Sequence, residues 1–578
     1  MRAAWIAAGA AALALGGCGM VRGLLPGDPE TGRPAPVAAV QAPARIAAFQ
    51  HAPLSAGAIM AHVDVLASDA FDGRLPGTRG EALTLDYIER AFAAIGLQPG
   101  VVAANGAVGW RQSVPLVTAR VSNSPAMRVT GADGARDYAF GTQHVVWTKR
   151  MEPATNIADA EMVFVGYGVV APERNWNDYA GIDMRGRIAV ILINDPDFET
   201  GDDRGFGGRA MTYYGRWTYK SEEAARQGAA GAIIIHETAP AAYPWAVVQN
   251  SNSGPKLDIV RPDRGASRVG VEGWISTPTA AELFQRANLN FADLKARAQR
   301  PGFTPTPMGL RMSLSLQTEL TEQASYNVVG VLPGRSRAGE TILYTAHWDH
   351  LGRCPPANGD DICNGALDNA TGTAGLIELA RRFAGEGRHE RSIAFVAFTA
   401  EEQGLLGSEY YAENPVFPAA RTVGAVNMDG LNIYGPARNI TVVGYGKSTM
   451  EDLLRTAAQT QGRTIEGEAF PERGSFYRSD HFNLARIGIP VLYASGGLDL
   501  VDGGVERGSA LQSAYIAERY HKPDDEVTPD WNIAGGVQDL QLFYQVGETL
   551  ANGTDWPVWR PGAEFAAARE QSMRGAAR

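Results

Sequence analysis

The stretch of sequence that decides the fold is "SIAFVAFTAEEQGLLGS" (392–408). Its first nine residues form an apolar run with the length of a buried strand, and two adjacent glutamates, Glu401 and Glu402, follow directly. No basic residue within 392–408 balances these two charges. Like charges held side by side in a partly dry crevice repel each other strongly. The pattern therefore predicts a strand that delivers acidic side chains to a functional site.

Other apolar runs surround this strand and predict its sheet. The segment "TAGLIELARRFAG" (373–385) has the apolar spacing of a helix and precedes the strand. An alternation of strands and helices implies parallel strands joined by right-handed crossovers, so we predict an α/β fold with a doubly wound, mostly parallel sheet. The other predicted strands are "TILYTAH" (341–347), "TVGAVNMD" (422–429), "ITVVGY" (440–445) and "IPVLYAS" (489–495).

Possible metal ligands occur where these predicted strands end. His347 ends the first strand, Glu401 and Glu402 end the second, Asp429 ends the third, and Asp368 lies just before the helix. The working residues of such sheets gather beyond the carboxyl ends of the strands. Divalent cations would remove the repulsion between the acids. We therefore expect one glutamate of the pair to bind metal and its neighbour to remain free as a base.

Taken in order, "TAHWDHLG…NGALDNATGTA…FTAEEQGLLGS…NMDG" resembles the co-catalytic dizinc aminopeptidase family, which also includes glutamate carboxypeptidase II and the transferrin receptor. The resemblance covers roughly the whole mature chain. It implies the zinc exopeptidase fold, with an inserted β-rich protease-associated domain. It also implies two Zn²⁺ ions per chain and a peptide substrate that loses its N-terminal residues.

The resemblance assigns roles to individual residues. His347 and Asp429 would bind one zinc ion, Asp368 would bridge both ions, Glu402 would bind the second, and Glu401 would be the general base. The final zinc ligand of the family is a late histidine. The favoured candidate is His521 in "RYHKPDDE" (519–526), and the other is His481 in "YRSDHFNLARIGIP" (477–490).

Further roles follow from the same resemblance. Asp349 would steer the imidazole of His347, Tyr520 would donate a hydrogen bond to the oxyanion, and His481 would lie near the substrate. The peptide bond after Asp368 would be cis. His350 matches no ligand of the family and is interpreted as a surface or core histidine.

The N-terminus resembles an export signal. "MRAAWIAAGAAALALGGCGM" (1–20) has one early positive charge and a short apolar run that ends in "LGGC", which resembles a bacterial lipobox. We expect a signal peptide at 1–17 and lipidation of Cys18. The chain would then be an exported lipoprotein of a Gram-negative-type bacterium, periplasmic or anchored in the outer membrane. In an oxidising compartment, Cys354 and Cys363 could form a disulfide.

The length, net charge and local composition of the chain suggest how it is organised. With 578 residues, the chain is too long for one core. Its net charge of −11 disfavours a general nucleic-acid binder, and no feature specifies an oligomeric state. The expected divisions are a lipidated tether at 18–52, a peptidase domain in two parts at 53–150 and 316–560, the protease-associated domain at 155–305, and a tail at 561–578.

Three alternative functions remain open. A glutamate-carboxypeptidase-like enzyme would need an arginine patch for the terminal carboxylate of its substrate, and Arg473 and Arg478 are candidate anion contacts. A glutaminyl cyclase would use a single zinc ion and lacks such an inserted domain. A non-catalytic scaffold has no need to retain a costly cluster of acids.

Overall fold

The computed structural model describes residues 52–203 and 205–576. The expected signal peptide, Cys18 and nearly all of the expected tether lie outside these residues. Within the described part of the chain, no helix combines the length and apolar character needed to cross a membrane.

The helices, in chain order, are α1 Ala56–Leu66, α2 Arg79–Ile95, α3 Trp217–Arg226, α4 Thr238–Ala241, α5 Trp245–Asn252, α6 Thr277–Arg286, α7 Phe291–Ala298, α8 Gly372–Gly385, α9 Leu406–Glu413, α10 Met450–Thr460, α11 His481–Arg486, α12 Gly504–Glu518, α13 Ala534–Asn552 and α14 Ala566–Ala576.

The strands are β1 Gln98–Pro99, β2 Val101–Val102, β3 Val108–Gly109, β4 Arg111–Val121, β5 Met127–Gly131, β6 Gly134–Tyr138, β7 His144–Trp147, β8 Ala154–Phe164, β9 Val170–Ala171, β10 Trp176–Asn177, β11 Ile188–Leu192, β12 Gly231–Ile235, β13 Lys256–Ile259, β14 Val271–Ile275, β15 Thr306–Leu332, β16 Arg337–His347, β17 Gly352–Ala357, β18 Asp360–Cys363, β19 Arg391–Phe398, β20 Thr422–Asn427, β21 Asn439–Val442, β22 Thr464–Gly467 and β23 Val491–Gly496.

A central sheet carries the strands predicted around 392–408. Its order is β1–β15–β19–β16–β20–β23, and β19, β16, β20 and β23 are parallel. β21 extends the sheet by pairing antiparallel with β23, and β22 pairs with β21. This confirms the predicted α/β class with a mostly parallel sheet.

Both faces of the central sheet are covered by helices. Along β16, Ile342 and Tyr344 pack with α1, α2, α8 and α13, whereas Leu343 faces the core formed with α9 and α11. Successive side chains of a strand point to opposite faces, so a strand buried on both sides has no polar alternation. This is why the predicted strands read as continuous apolar runs.

A second sheet precedes the central one in the chain. Its parallel strands β8, β11, β12 and β14 are extended by β7, and β5 and β6 join through β15. β15 is 27 residues long; its first part pairs with β8 in this sheet, and its last part pairs with β19 in the central sheet. One strand therefore connects the two sheets.

The expected division at 53–150 and 155–305 is wrong in its position. β5, β6 and β7, which together span 127–147, belong to the second sheet because β5 pairs with β15 and β7 pairs with β14. Likewise, residue 316 lies inside β15 and not between two units. The expected tail at 561–578 contains α14. Arg569 of this helix donates hydrogen bonds to the carbonyls of Ala419 and Thr422, which holds the helix against the start of β20.

Candidate metal-dependent active site

The central sheet brings the predicted acids to one edge. His347 ends β16, Glu401 and Glu402 follow the end of β19, and Asp429 follows the end of β20. These strands are parallel, so their carboxyl ends lie at the same edge of the sheet.

Asp368 reaches this edge from the turn that begins α8. The carboxylate of Asp525 accepts hydrogen bonds from the backbone N–H groups of Leu367 and Asp368, both at 3.1 Å. Asn369 Nδ2 donates to the carbonyl of Met428 at 3.1 Å, and the Asp368–Asn369 peptide bond is cis, as the resemblance implied. The turn is thus fixed on both sides of the bridging position.

Asp368 lies between two histidines. His347 Nε2 is 3.1 Å from Asp429 Oδ1 and 3.4 Å from Asp368 Oδ1. His521 Nε2 is 3.1 Å from Glu402 Oε2 and 3.3 Å from Asp368 Oδ2. The carboxylate of Asp368 therefore turns one oxygen toward each half of the cluster, which is the arrangement expected of a ligand shared by two ions.

The nitrogen and oxygen atoms of the cluster are better suited to binding metal ions than to hydrogen bonding with one another. Both ring nitrogens of His521 are buried without a hydrogen-bond partner among the described residues, although two carboxylate oxygens lie close to Nε2. Buried polar nitrogens normally have such a partner. Neutral imidazole nitrogen and carboxylate oxygen are both zinc ligands. The orphaned nitrogens of His521 therefore indicate a site shaped for a common positive centre.

The pKa values of the two histidines also indicate that the cluster attracts positive charge. Burial lowers the pKa of His347, but Glu401 and Asp429 outweigh it and raise this pKa well above the usual range. Burial likewise opposes the charged form of His521, yet Glu402 and Asp368 raise its pKa well above normal. Carboxylates that raise the pKa of neighbouring histidines in this way also attract divalent cations. Such cations displace the protons from the histidine nitrogens when they bind.

The two adjacent glutamates differ in their surroundings. Burial raises the pKa of Glu402, but His521 and His350 overcome this effect and lower it to about 2. Burial raises the pKa of Glu401 well above its usual value, and Asp429 and Glu402 add to the increase. Glu401 lines the cavity beside the cluster, and its Oε2 lies 3.9 Å from His347 Nε2. Its raised pKa and position suit proton transfer.

Asp349 contacts both the glutamate pair and His347. Its carboxylate accepts hydrogen bonds from the backbone N–H groups of Glu401, at 3.0 Å, and Glu402, at 3.3 Å. His347 Nδ1 lies 3.8 Å from this carboxylate, within ion-pair distance, and 3.2 Å from the carbonyl of Asp349. The predicted steering of the imidazole stays a prediction, and the sequence did not indicate that Asp349 also positions the glutamate pair.

His350 is a site residue that sequence reasoning missed. Its Nδ1 lies 2.6 Å from Glu402 Oε1, and its side chain is fully buried. It is a core histidine, one of the two interpretations offered, but the sequence did not indicate that it contacts the carboxylate of Glu402. The available signal was its position three residues after His347, in the same strand-end loop.

The two expected substrate contacts have different outcomes. His481 has no exposed surface, because its ring packs against Phe476 and Tyr493 at centroid distances of 4.7 Å. The expected substrate contact of His481 is therefore wrong. Tyr520 lines the cavity and stacks on His521 with a centroid distance of 3.8 Å, so its predicted role toward the oxyanion stays a prediction.

The acidic cluster lies in a cavity of about 850 Å³ between the two sheets. Arg216, Trp217 and Tyr243, from the part of the chain that forms the second sheet, line one side of the cavity. The acidic cluster at the edge of the central sheet lines another side. Among the aromatic residues within 211–231, Trp217 faces the cavity, whereas Tyr219 is buried in the core of the second sheet.

Comparisons with known proteins show which families and structures the chain is similar to. Residues 327–544 match the family model described as Peptidase family M28. The mouse protein named Aminopeptidase NAALADL1 is 29% identical over 168 residues, which cover 28% of this chain and 20% of that protein. A Caenorhabditis elegans protein named Glutamate carboxypeptidase 2 homolog is 25% identical over 321 residues, which cover 47% of this chain and 37% of that protein.

The chain thus spans well under half of the length of these curated relatives. Among solved structures, an aminopeptidase from Aneurinibacillus sp. strain AM-1 is similar, with 18% sequence identity and a TM-score of 0.48. The similarity covers 89% of this chain and 98% of that protein.

Proposed function

Because residues 327–544 match peptidase family M28, we propose that the chain is a zinc-dependent exopeptidase that removes N-terminal residues from peptides. The observation that carries the proposal is the convergence of five donor side chains from separate segments on one edge of the cavity. They are His347, Asp368, Glu402, Asp429 and His521.

These five residues would hold two zinc ions, with Asp368 shared between them. Bound zinc would supply a Lewis acid and lower the pKa of a water molecule. Glu401 accepts the proton of the attacking water while the water oxygen bonds to the scissile carbonyl carbon. Glu401 then gives that proton to the departing amine as the carbon–nitrogen bond breaks. The hydroxyl of Tyr520, which lines the cavity, would donate a hydrogen bond to the developing oxyanion.

Attack at the amino end is supported by the mouse relative named Aminopeptidase NAALADL1. An aminopeptidase acts on peptides whose N-terminal amine is free, so acetylation of that amine should prevent cleavage.

The test compares peptides that have a free amine with their N-acetylated forms, using full-length protein with and without a zinc chelator. We expect cleavage of the free-amine peptides only, loss of that cleavage on chelation, and recovery when zinc is added. Cleavage of N-acetylated peptides in preference to free ones would contradict the aminopeptidase proposal.

One observation favours a second candidate, an exopeptidase that recognises a carboxylate of its substrate. Arg216 and Arg478 line the cavity, and the Nε of each is buried without a partner among the described residues. Other cations of the lining are paired: Arg486 lies 3.5 Å from Glu222, and Arg268 lies 3.3 Å from Glu409. A buried guanidinium nitrogen without an acceptor is costly, and a carboxylate is its natural partner.

This second candidate predicts that peptides with a free C-terminal carboxylate are cleaved more efficiently than the corresponding peptide amides. Replacing Arg216 or Arg478 by Met should lower kcat/KM for peptides with a free C-terminal carboxylate by roughly 10–100-fold, because one charged hydrogen bond is lost. The corresponding peptide amides should be unaffected. Arg268→Met, which removes a paired cation from the same lining, is the matched control. Equal losses for the acid and the amide would contradict carboxylate recognition.

We also propose that the protein is exported and anchored by a lipid on Cys18. The support is the "LGGC" sequence (15–18) and the disulfide between Cys354 and Cys363, whose sulfur atoms are 1.99 Å apart. Disulfides persist mainly in oxidising compartments. Incorporation of a labelled fatty acid that persists in Cys18→Ser would contradict lipidation at this residue.

A further inference from the structure

Arg74 is a fully buried arginine that binds only backbone carbonyls among the described residues. It is 1% exposed and lies in the segment that precedes α2. Its guanidinium donates four hydrogen bonds: Nε to Trp348 at 2.9 Å, Nη1 to Leu66 and Asn364, each at 2.6 Å, and Nη2 to Gly365 at 2.9 Å. The planar fork of an arginine can serve several acceptors at once, which a lysine cannot do in the same geometry.

Three of these carbonyls, those of Trp348, Asn364 and Gly365, belong to the two turns that carry metal ligands, and that of Leu66 ends α1. Trp348 directly follows His347, and Gly365 lies three residues before Asp368. The backbone N–H of His350 also donates to the carbonyl of Arg74, at 3.4 Å. One side chain therefore ties α1, the end of β16 and the approach to Asp368 to a common point.

The packing around these turns leaves little room for movement. A Cβ added to Gly365, whose φ is +56°, would lie 2.2 Å from the carbonyl oxygen of Asp368 and 2.5 Å from the His350 ring. A Cβ on Gly73, whose φ is +64°, would lie 2.4 Å from the carbonyl oxygen of Gly352. Backbone from the Arg74 segment and from both turns is thus closely packed.

Arg74 also places a positive charge close to acidic residues of the site. Burial lowers its pKa to about 10, while Asp349, Asp525, Asp368 and Glu402 act in the opposite direction. Within the described residues, no carboxylate forms an ion pair with it. Its charge therefore acts on Asp368, Glu402 and the two carboxylates that support them, and does not neutralise a single ligand.

We propose that Arg74 is a positioning residue that holds the turns after His347 and before Asp368 so that both side chains converge on the metal ions. The inference rests on the proposed function, because it concerns ligands of the proposed zinc site. Arg74 lies outside residues 327–544, so the segment that matches the peptidase family does not include it. Groups that orient metal ligands commonly change metal affinity or activity by 10–100-fold when they are removed.

The test measures zinc affinity by competition with a chromogenic chelator, together with thermal unfolding, for the full chain and for Arg74→Met and Arg74→Lys. We expect Arg74→Met to bind zinc roughly 10–100-fold more weakly and the zinc-induced rise in Tm to shrink. Arg74→Lys retains the charge without the fork and should recover only part of the affinity.

Arg391 provides a matched control for a purely structural effect. It is also 1% exposed and donates to three backbone carbonyls, those of Leu550, Thr554 and Asp555, away from the acidic cluster. Unlike Arg74, it also pairs with a carboxylate, that of Glu340, at 2.6 Å. Arg391→Met should lower Tm without changing zinc affinity. Unchanged zinc affinity in both Arg74 variants would overturn the inference alone, whereas failure of the unsubstituted chain to bind zinc would overturn the proposed function. If Arg74→Met does not fold, Arg74→Lys decides.

Discussion

Glu401→Gln is expected to bind zinc as well as the unsubstituted chain and to lose about 10²–10⁴-fold in kcat. The amide is close in shape to the carboxylate, but it cannot accept a proton at neutral pH. The carboxylate of Glu401 is not in contact with His521, and its neighbour Glu402 makes that contact instead. Elemental analysis and steady-state kinetics on the same preparation measure both expectations.

The control for Glu401→Gln is Glu466→Gln. Glu466 lines the same cavity and accepts a hydrogen bond from Asn439 Nδ2 at 2.9 Å, so its substitution removes a cavity charge that plays no part in proton transfer. We expect its kcat to stay close to that of the unsubstituted chain. Loss of zinc in Glu401→Gln would mean that Glu401 is a ligand and that its assignment as the base is wrong.

Asp368→Ala is expected to lose both zinc ions and nearly all activity. Its carboxylate faces both halves of the cluster, with one oxygen 3.4 Å from His347 Nε2 and the other 3.3 Å from His521 Nε2. Removing it therefore weakens two binding sites at once. The lost transition-state stabilisation of several kcal/mol corresponds to a rate decrease of roughly 10³-fold or more.

A matched control for Asp368→Ala is Asp361→Ala in the disulfide-bonded hairpin that precedes it. The side chain of Asp361 is 46% exposed and pairs with Arg353, which is also exposed, so its removal should leave zinc content and activity unchanged. Zinc content is measured by elemental analysis after dialysis. Retention of two zinc equivalents by Asp368→Ala would contradict the bridging role.

The sequence was sufficient to predict the central sheet and most of the acidic cluster. Burial on both faces makes β16, β19 and β20 continuous apolar runs, and this signal is local. The predicted donors lie where these strands end, so the parallel pairing alone brings them together. The lengths of the runs also placed the strands within a few residues of their observed bounds, for example 392–400 against Arg391–Phe398.

Features that depend on distant contacts could not be predicted in this way. Arg74 reaches the site through carbonyls of Asn364 and Gly365, almost 300 residues away, and the sequence around it has no motif for that contact. His481 lies in a stretch that resembles an element near the substrate, yet packing against Phe476 and Tyr493 removes it from the cavity. The sheet boundary was misplaced because β15 passes through both sheets without a break in its strand pattern.

The most direct test of the account is a crystal structure of the zinc-loaded chain with anomalous data collected at the zinc edge. The account predicts two anomalous peaks that share Asp368, one bonded to His347 and Asp429 and the other bonded to Glu402 and His521. A single peak, or a pair of peaks that these five side chains do not reach, would contradict it.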